Sequence, residues 1–329
     1  MWLDFALSDL PRDQDIDRLR RRYAMQTPLT GILPVAPTPF DDGGVVDLGG
    51  MRRVLDCMID QGADAICILA NYSEQFLLSD EERADLMRVS LEHVSGRVPV
   101  IVTISHFSTD IVIKRAQAAQ ELGACMVMMM PPYHGVGLAP AEPKIFEHFA
   151  AVSNAVSIPI MVQDAPLSGC TLSVPLLVKM AKELEQVSYF KMEMPFAADK
   201  LAALIEAGGD DIVGPFDGEE AATLLADLDA GCTGTMTSAL QPEHIGKIVR
   251  SYLAEDKDAA LAQWATCLPL INHENRQCGL RATKVVMKEG GVIGSDHVRH
   301  PLKPMSERTK ARLLQLSRDM DLIALRWGK

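Results

Sequence analysis

The chain lacks several of the patterns that usually announce a function. Its seven cysteines (57, 67, 125, 170, 232, 267 and 278) include no C-x-x-C pair and no cluster. Their odd count and even scatter are expected of a reducing compartment, and those inside apolar runs act as small hydrophobes. Its eight histidines show no H-x-H or H-E-x-x-H spacing, so no metal site is expected. No apolar stretch reaches the roughly 18–20 residues needed to span a bilayer. The first residues carry Asp4 and no basic stretch before an apolar core, so no signal peptide and a cytoplasmic location are expected. Positive charge is also short: 32 Lys and Arg stand against 44 Asp and Glu, a net charge of −12. That disfavours nucleic acid as a partner, while leaving room for a locally positive buried site.

What is present is an alternating pattern. Residues 1–28 stand apart as an N-terminal extension in which Asp13, Asp15 and Asp17 offset Arg18, Arg20, Arg21 and Arg22. From Gly31, short apolar runs recur at 32–38, 65–70, 99–105, 126–132, 159–165, 188–193, 211–216 and 234–238. Such runs suit parallel strands buried on both faces. Helical spacing fills the gaps at 48–61, 80–94, 108–122, 142–155, 172–186, 197–208 and 218–230. Ser79 and Glu82 form a capping box before the second of these. Eight strands alternating with helices close most naturally into a (β/α)₈ TIM barrel. A doubly wound sheet lacks its phosphate loop, because PTPFDDGG and not G-x-G-x-x-G follows the first run. The expected division is an extension at 1–28, a barrel at 29–240 and a C-terminal helical extension at 241–329, with helices at 241–253, 256–272, 279–289 and 306–324.

Barrel active sites lie where the strands end, which selects a short set of residues. Lys191 sits in an apolar run (YFKME), where burial is expected to lower its pKa from about 10.4 toward 7–8 and make it a nucleophile for a ketone. A lysine salt-bridged to Glu193 fits the same pattern. The turn after the second strand (ANYSEQ) offers Asn71, Tyr72 and Ser73 beside backbone N–H groups suited to a carboxylate. His106 and His134 read as loop residues, and Met126–Met130 as core. Asp217, Glu219 and Glu220 form either an acid group or an answer to a helix dipole.

From Gly31 to about Pro304 these motifs resemble the dihydrodipicolinate synthase and N-acetylneuraminate lyase superfamily. The likeness rests on V-A-P-T-P-F, P-V-I-V-T, P-P-Y, I-P-I-M-V-Q-D-A-P, F-K-M-E and G-E-E, in order. It implies a Schiff base on Lys191 with a 2-keto acid, no separate cofactor, and a homotetramer. The departures are informative. The usual G-T-T-G-E loop is here Ala70–Glu74 without its threonines. The proton-shuttling tyrosine of the fifth strand aligns with Gln163, and an amide cannot give and retake a proton as a phenol does. The arginine that grips a second carboxylate is missing from QDAPLSG. Other runs, including I-L-A-N-Y-S-E-Q, T-I-S-H-F-S-T and L-I-N-H-E-N-R-Q, resemble the branch that dehydrates 2-keto-3-deoxy-L-arabonate to 2-oxoglutarate semialdehyde. An aldolase releasing pyruvate and a non-catalytic keto-acid-binding homologue are the alternatives. The resemblance makes Lys191, Tyr133 and Tyr72 the expected catalytic residues. Asn71, Ser73, Gln163, Asp164, Glu193, Gly218 and Glu219 are expected to bind substrate, with Glu193 or Glu219 as the base.

Overall fold

Eight parallel strands lie in the order β1-β8-β7-β6-β5-β4-β3-β2. The structure, a computed structural model, describes residues 28–133 and 138–329; the expectations for the N-terminal extension and for His134 therefore lie outside the described residues. The strands are β1 (Gly31–Ile32), β2 (Ile66–Ile68), β3 (Val100–Thr103), β4 (Met126–Met129), β5 (Ile160–Asp164), β6 (Val187–Met192), β7 (Gly214–Asp217) and β8 (Gly234–Thr235). Helices α1 (Leu48–Asp60), α2 (Asp80–Val94), α3 (Thr109–Glu121), α4 (Glu142–Ser153), α5 (Val174–Glu183), α6 (Ala197–Gly208) and α7 (Leu224–Asp229) return the chain between strands. The remaining gap closes beside β1. Cys67 N donates to Pro34 O at 2.9 Å and Ala36 N to Cys67 O at 2.8 Å, joining the first strand segment to β2. The sheet is thereby a (β/α)₈ barrel.

Strand alternation divides the apolar residues between two cores. Leu33, Val35, Cys67, Ile101, Met126, Met128, Met161, Tyr189, Phe216 and Met236 fill the barrel interior. Their neighbours, such as Ile66, Val102, Val127, Met129 and Phe190, face the helices in a larger outer core. Met126–Met130 is thus buried packing, as the sequence suggests. The interior is tight at Tyr189 and Phe216, whose rings stack 6.5 Å apart. A Cβ at Gly214 would lie 2.1 Å from the Tyr189 ring, which is why a strand residue there has no side chain.

Helices α8 (Pro242–Leu253), α9 (Lys257–His273), α10 (Arg281–Glu289) and α11 (Glu307–Asp319) form the C-terminal extension, with a π-turn at Glu274–Cys278 continuing α9. Among the described residues no helix is long and apolar enough to cross a membrane. The capping box forms as the sequence suggests: Ser79 Oγ accepts from Glu82 N at 3.2 Å and Glu82 Oε2 from Ser79 N at 2.9 Å. One expected helix is corrected. Residues 218–223 are a turn, not the start of a helix, and α7 begins only at Leu224. Glu220 and Ala221 there adopt left-handed φ of 56° and 63°, and an α-helix cannot run through two such residues.

Candidate active site

The register of three strands sets the floor of the site. Gln163 of β5 pairs with Lys191 of β6, and Lys191 pairs with Phe216 of β7. All three therefore share one face of the sheet, and Phe216 belongs to the interior core, so that face is inward. The next residues point the other way. Asp164, expected in the site, instead holds the Lys200 Nζ of α6 at 2.5 Å on the outer side. Burial raises its pKa and Lys200 draws it back. The VQDAP motif alone gives no phase for the alternation; the strand register does.

Lys191 is only 4% exposed and its Nζ lies 2.6 Å from Glu193 Oε1. Both sequence readings meet here, a buried lysine and an ion pair, but the expected direction of its pKa is reversed. Burial is the largest influence and pulls it down; Glu193 and Glu220 together outweigh it, and the net shift is upward. The resting group is an ammonium. Its proton has an acceptor already in place, because Glu193 touches it and Gln163 Nε2 donates to the same Oε1 at 2.7 Å. Gln163 thus orients the carboxylate, while its own Oε1 is buried without a hydrogen-bond partner.

The turn after β2 is a 3-10 turn, Asn71–Ser73, followed by Glu74 in the left-handed region at φ 56°. Tyr72 and Asn71 line the cavity above Lys191. Glu220 and burial drive the Tyr72 phenol far above its usual range, so it stays neutral. Asn71 Oδ1 accepts from Gln75 Nε2 at 2.7 Å. Ser73 departs from its expected role. Its hydroxyl donates to Ala36 O at 2.6 Å and accepts from Ala70 N at 3.1 Å, which commits its one proton to the backbone and makes it the knot of the turn. Tyr133 is not among the residues lining the cavity above Lys191. Its ring packs edge-on against Phe76 with centroids 5.1 Å apart, and its hydroxyl donates to Ser105 O at 3.3 Å. His106 turns back to accept from Ser108 N at 2.9 Å, as a loop residue.

The turn after β7 supplies the opposite wall. Asp217, fully buried, accepts from Glu219 N at 2.9 Å, Ala221 N at 3.2 Å and the Thr235 hydroxyl, which fixes the left-handed turn. Gly218 lies where a Cβ would come 2.6 Å from Glu193 Cγ and 2.9 Å from Lys191 Cε; only glycine leaves the pair its space. Glu219 lines the cavity and receives the Thr223 hydroxyl at 3.2 Å.

The resulting cavity is about 540 Å³ and is closed on its far side by Leu268, Ile271, Asn272, Asn275 and Arg276 of α9 and the π-turn. The sequence alone did not indicate this C-terminal wall, and it left Glu220 open between an acid group and an answer to a helix dipole. The sole signal was the L-I-N-H-E-N-R-Q run. Glu220 is buried through the left-handed turn, and its Oε2 accepts from Ser238 N at 2.6 Å.

A barrel with an inward lysine–carboxylate pair at the ends of its strands, opening on a small polar cavity, defines an enzyme class that works on carbonyl compounds through an amine. The sequence profile of the dihydrodipicolinate synthetase family matches residues 28–319, and the chain belongs to that family. It is 55% identical over 298 residues to the L-2-keto-3-deoxyarabonate dehydratase of Azospirillum brasilense, covering 91% of this chain and 96% of that one. It is 28% identical to the 4-hydroxy-tetrahydrodipicolinate synthase of Salinibacter ruber, over 89% of this chain and 96% of the other. Among solved structures, a putative dihydrodipicolinate synthetase from Pseudomonas aeruginosa superposes with a TM-score of 0.83 at 28% identity, covering 89% of this chain and 99% of that one.

Proposed function

We propose that the protein is a lyase that removes water from 2-keto-3-deoxy-L-arabonate to give 2-oxoglutarate semialdehyde through an imine on Lys191. The observation that carries this reading is the Lys191–Glu193–Gln163 array, in which a glutamine stands where an aldolase needs a phenol. The relative named for the dehydratase supports the choice of substrate.

Lys191 passes its proton to Glu193, 2.6 Å away, and the freed amine attacks C2. Glu193 returns that proton to the C2 oxygen, a second passes to it from the attacking nitrogen, and water leaves as the protonated imine forms. The iminium acidifies C3, and Glu193, a carboxylate again and oriented by Gln163, takes the C3 proton. The enamine expels the C4 hydroxyl. Loss of a C5 proton, protonation at C3 and C4 and loss of the C5 hydroxyl proton then give the C5 aldehyde, and hydrolysis frees Lys191. No electrons enter or leave, and the iminium is the electron sink, so no separate cofactor is needed. The Asn71–Tyr72 end of the cavity receives the C1 carboxylate. Gln163 Oε1, buried and unpartnered, accepts from a substrate hydroxyl, as buried acceptors generally find a donor. Glu219 faces the distal carbons. Cleavage to pyruvate needs the C4 hydroxyl proton to be removed and returned, a task for which an amide has no chemistry. The reading extends to a homotetramer in the cytoplasm, with the chain divided at residues 28 and 240.

The test is reductive trapping. Borohydride added with 2-keto-3-deoxy-L-arabonate is expected to inactivate the protein and label the peptide carrying Lys191, and to leave Lys191→Ala unlabelled. Label on another lysine would sink the assignment.

A further inference from the structure

Behind the cavity lies a second carboxyl group that the mechanism above does not use. Glu274, the first residue of the π-turn, is buried, and its Oε1 accepts the Ser238 hydroxyl proton at 2.6 Å. The backbone N–H of the same Ser238 donates to Glu220 Oε2, also at 2.6 Å. One serine therefore clasps two buried carboxyl groups, one from the turn after β7 and one from the C-terminal extension. Glu220 lines the Lys191 cavity; Glu274 sits behind it.

Two buried carboxyl groups held by one serine repel each other when both are charged, which favours a single proton between them. The groups facing them leave the same conclusion. Among the described residues Lys191 is the cation that draws Glu220 down, and Glu193 already engages it; Arg276, on the same cavity wall, acts on Glu219. Tyr72, Ser238 and Cys278 are neutral neighbours, the last two facing Glu274. A π-turn at this point is also telling, since such insertions re-aim one side chain out of an otherwise regular helix.

We infer that Glu220 and Glu274, joined through Ser238, hold one proton between them, and that Glu220 delivers it to the C4 hydroxyl as that group departs. Glu274 is the positioning residue that keeps Glu220 loaded. The inference rests on the dehydratase reading. The C4–O bond breaks with its electron pair going to oxygen, the Glu220 proton completes the water, and Glu220 is left as a carboxylate. The C5 proton, made acidic by the conjugated iminium, then restores it. Burial and Glu274 both raise the Glu220 pKa well above the usual carboxylate range, and that of Glu274 rises to about 7.

Glu220→Gln and Glu274→Gln keep the shape and the acceptor for Ser238. Both are compared with the unaltered enzyme on 2-keto-3-deoxy-L-arabonate and on its analogue with fluorine in place of the C4 hydroxyl. Fluoride needs no proton to leave. Glu220→Gln is expected to lose more than about 100-fold in water elimination while releasing fluoride within about tenfold of the unaltered rate. Glu274→Gln removes the neighbouring charge, lowers the proton affinity of Glu220, and moves the basic limb of the kcat profile to lower pH, with KM little changed. Borohydride trapping of pyruvate on both variants reports that the fold and the amine are intact. Parallel loss of both eliminations in Glu220→Gln, or an unmoved pH limb in Glu274→Gln, would overturn the inference while leaving the dehydratase reading in place. No semialdehyde from the unaltered enzyme would overturn both.

Discussion

Burial pulls the Lys191 pKa down and the carboxylates around it, Glu193 foremost, pull it up, and the consequence is measurable. With Glu193→Gln the ammonium loses its partner, burial prevails, and the amine pKa falls. Trapping of a 2-oxo acid on Lys191 is expected to extend to lower pH than in the unaltered protein. Turnover is expected to drop by about 10²–10⁴-fold, because the proposed mechanism gives Glu193 the C3 proton. Retained turnover would remove Glu193 from the mechanism. Lys191 and its proximity to Glu193 were legible in YFKME, since a cation in an apolar run must find a partner. The direction of its pKa was not, because Glu220 comes from the turn after another strand. Asp164 and Ser73 were misplaced for a related reason. Residue type names what a side chain can do, and only the strand phase or a neighbouring carbonyl says whether it is free to do it.

At the level of elements, strands and helices followed the apolar spacing closely, and the turns did not. The stretch 218–223 has the composition of a helix start, yet Asp217 ties it into a left-handed turn through Glu219 N, Ala221 N and Thr235. That turn places Gly218 against the Lys191–Glu193 pair. In Gly218→Ala, kcat is expected to fall at least about 100-fold, since a displacement of about 1 Å at reacting groups costs that much. Steady-state kinetics beside a thermal melt would check this; full activity would mean the pair has more room than the 2.6 Å contact allows. The 3-10 turn after β2 makes a separate prediction. Ser73→Ala strips hydrogen bonds from Ala36 O and Ala70 N and is expected to cost roughly 1–3 kcal/mol in chemical denaturation, with a raised KM as the turn loosens. The π-turn had no sequence signal of its own, because one extra residue in a helix leaves composition unchanged.

Across the whole molecule, the C-terminal extension is part of the site as well as a cover for the barrel. Lys284 of α10, buried, pairs with Glu74 directly after the Asn71–Ser73 turn and lies 4.2 Å over the Phe40 ring. Arg299 binds Glu74 from its backbone and Glu82 from its side chain, so α2, the turn and the extension are held as one. Lys284→Ala leaves Glu74 buried without its cation and is expected to destabilise the protein by roughly 3–5 kcal/mol. The loss should appear as a lower Tm together with weakened substrate binding. An unchanged melt would mean that Glu74 finds another partner. The barrel was legible from the eight apolar runs; the long-range links across 210 residues between Glu74 and Lys284 were not, since no local pattern records which distant charge a buried carboxylate meets.

On the proposed mechanism Lys191 supports loss of water and not cleavage of a carbon–carbon bond. The direct measurement incubates the protein with 2-keto-3-deoxy-L-arabonate and follows 2-oxoglutarate semialdehyde and pyruvate together, beside Lys191→Ala. Semialdehyde without pyruvate, and neither product from the variant, is the predicted result; pyruvate from the unaltered protein, or semialdehyde from Lys191→Ala, would contradict it.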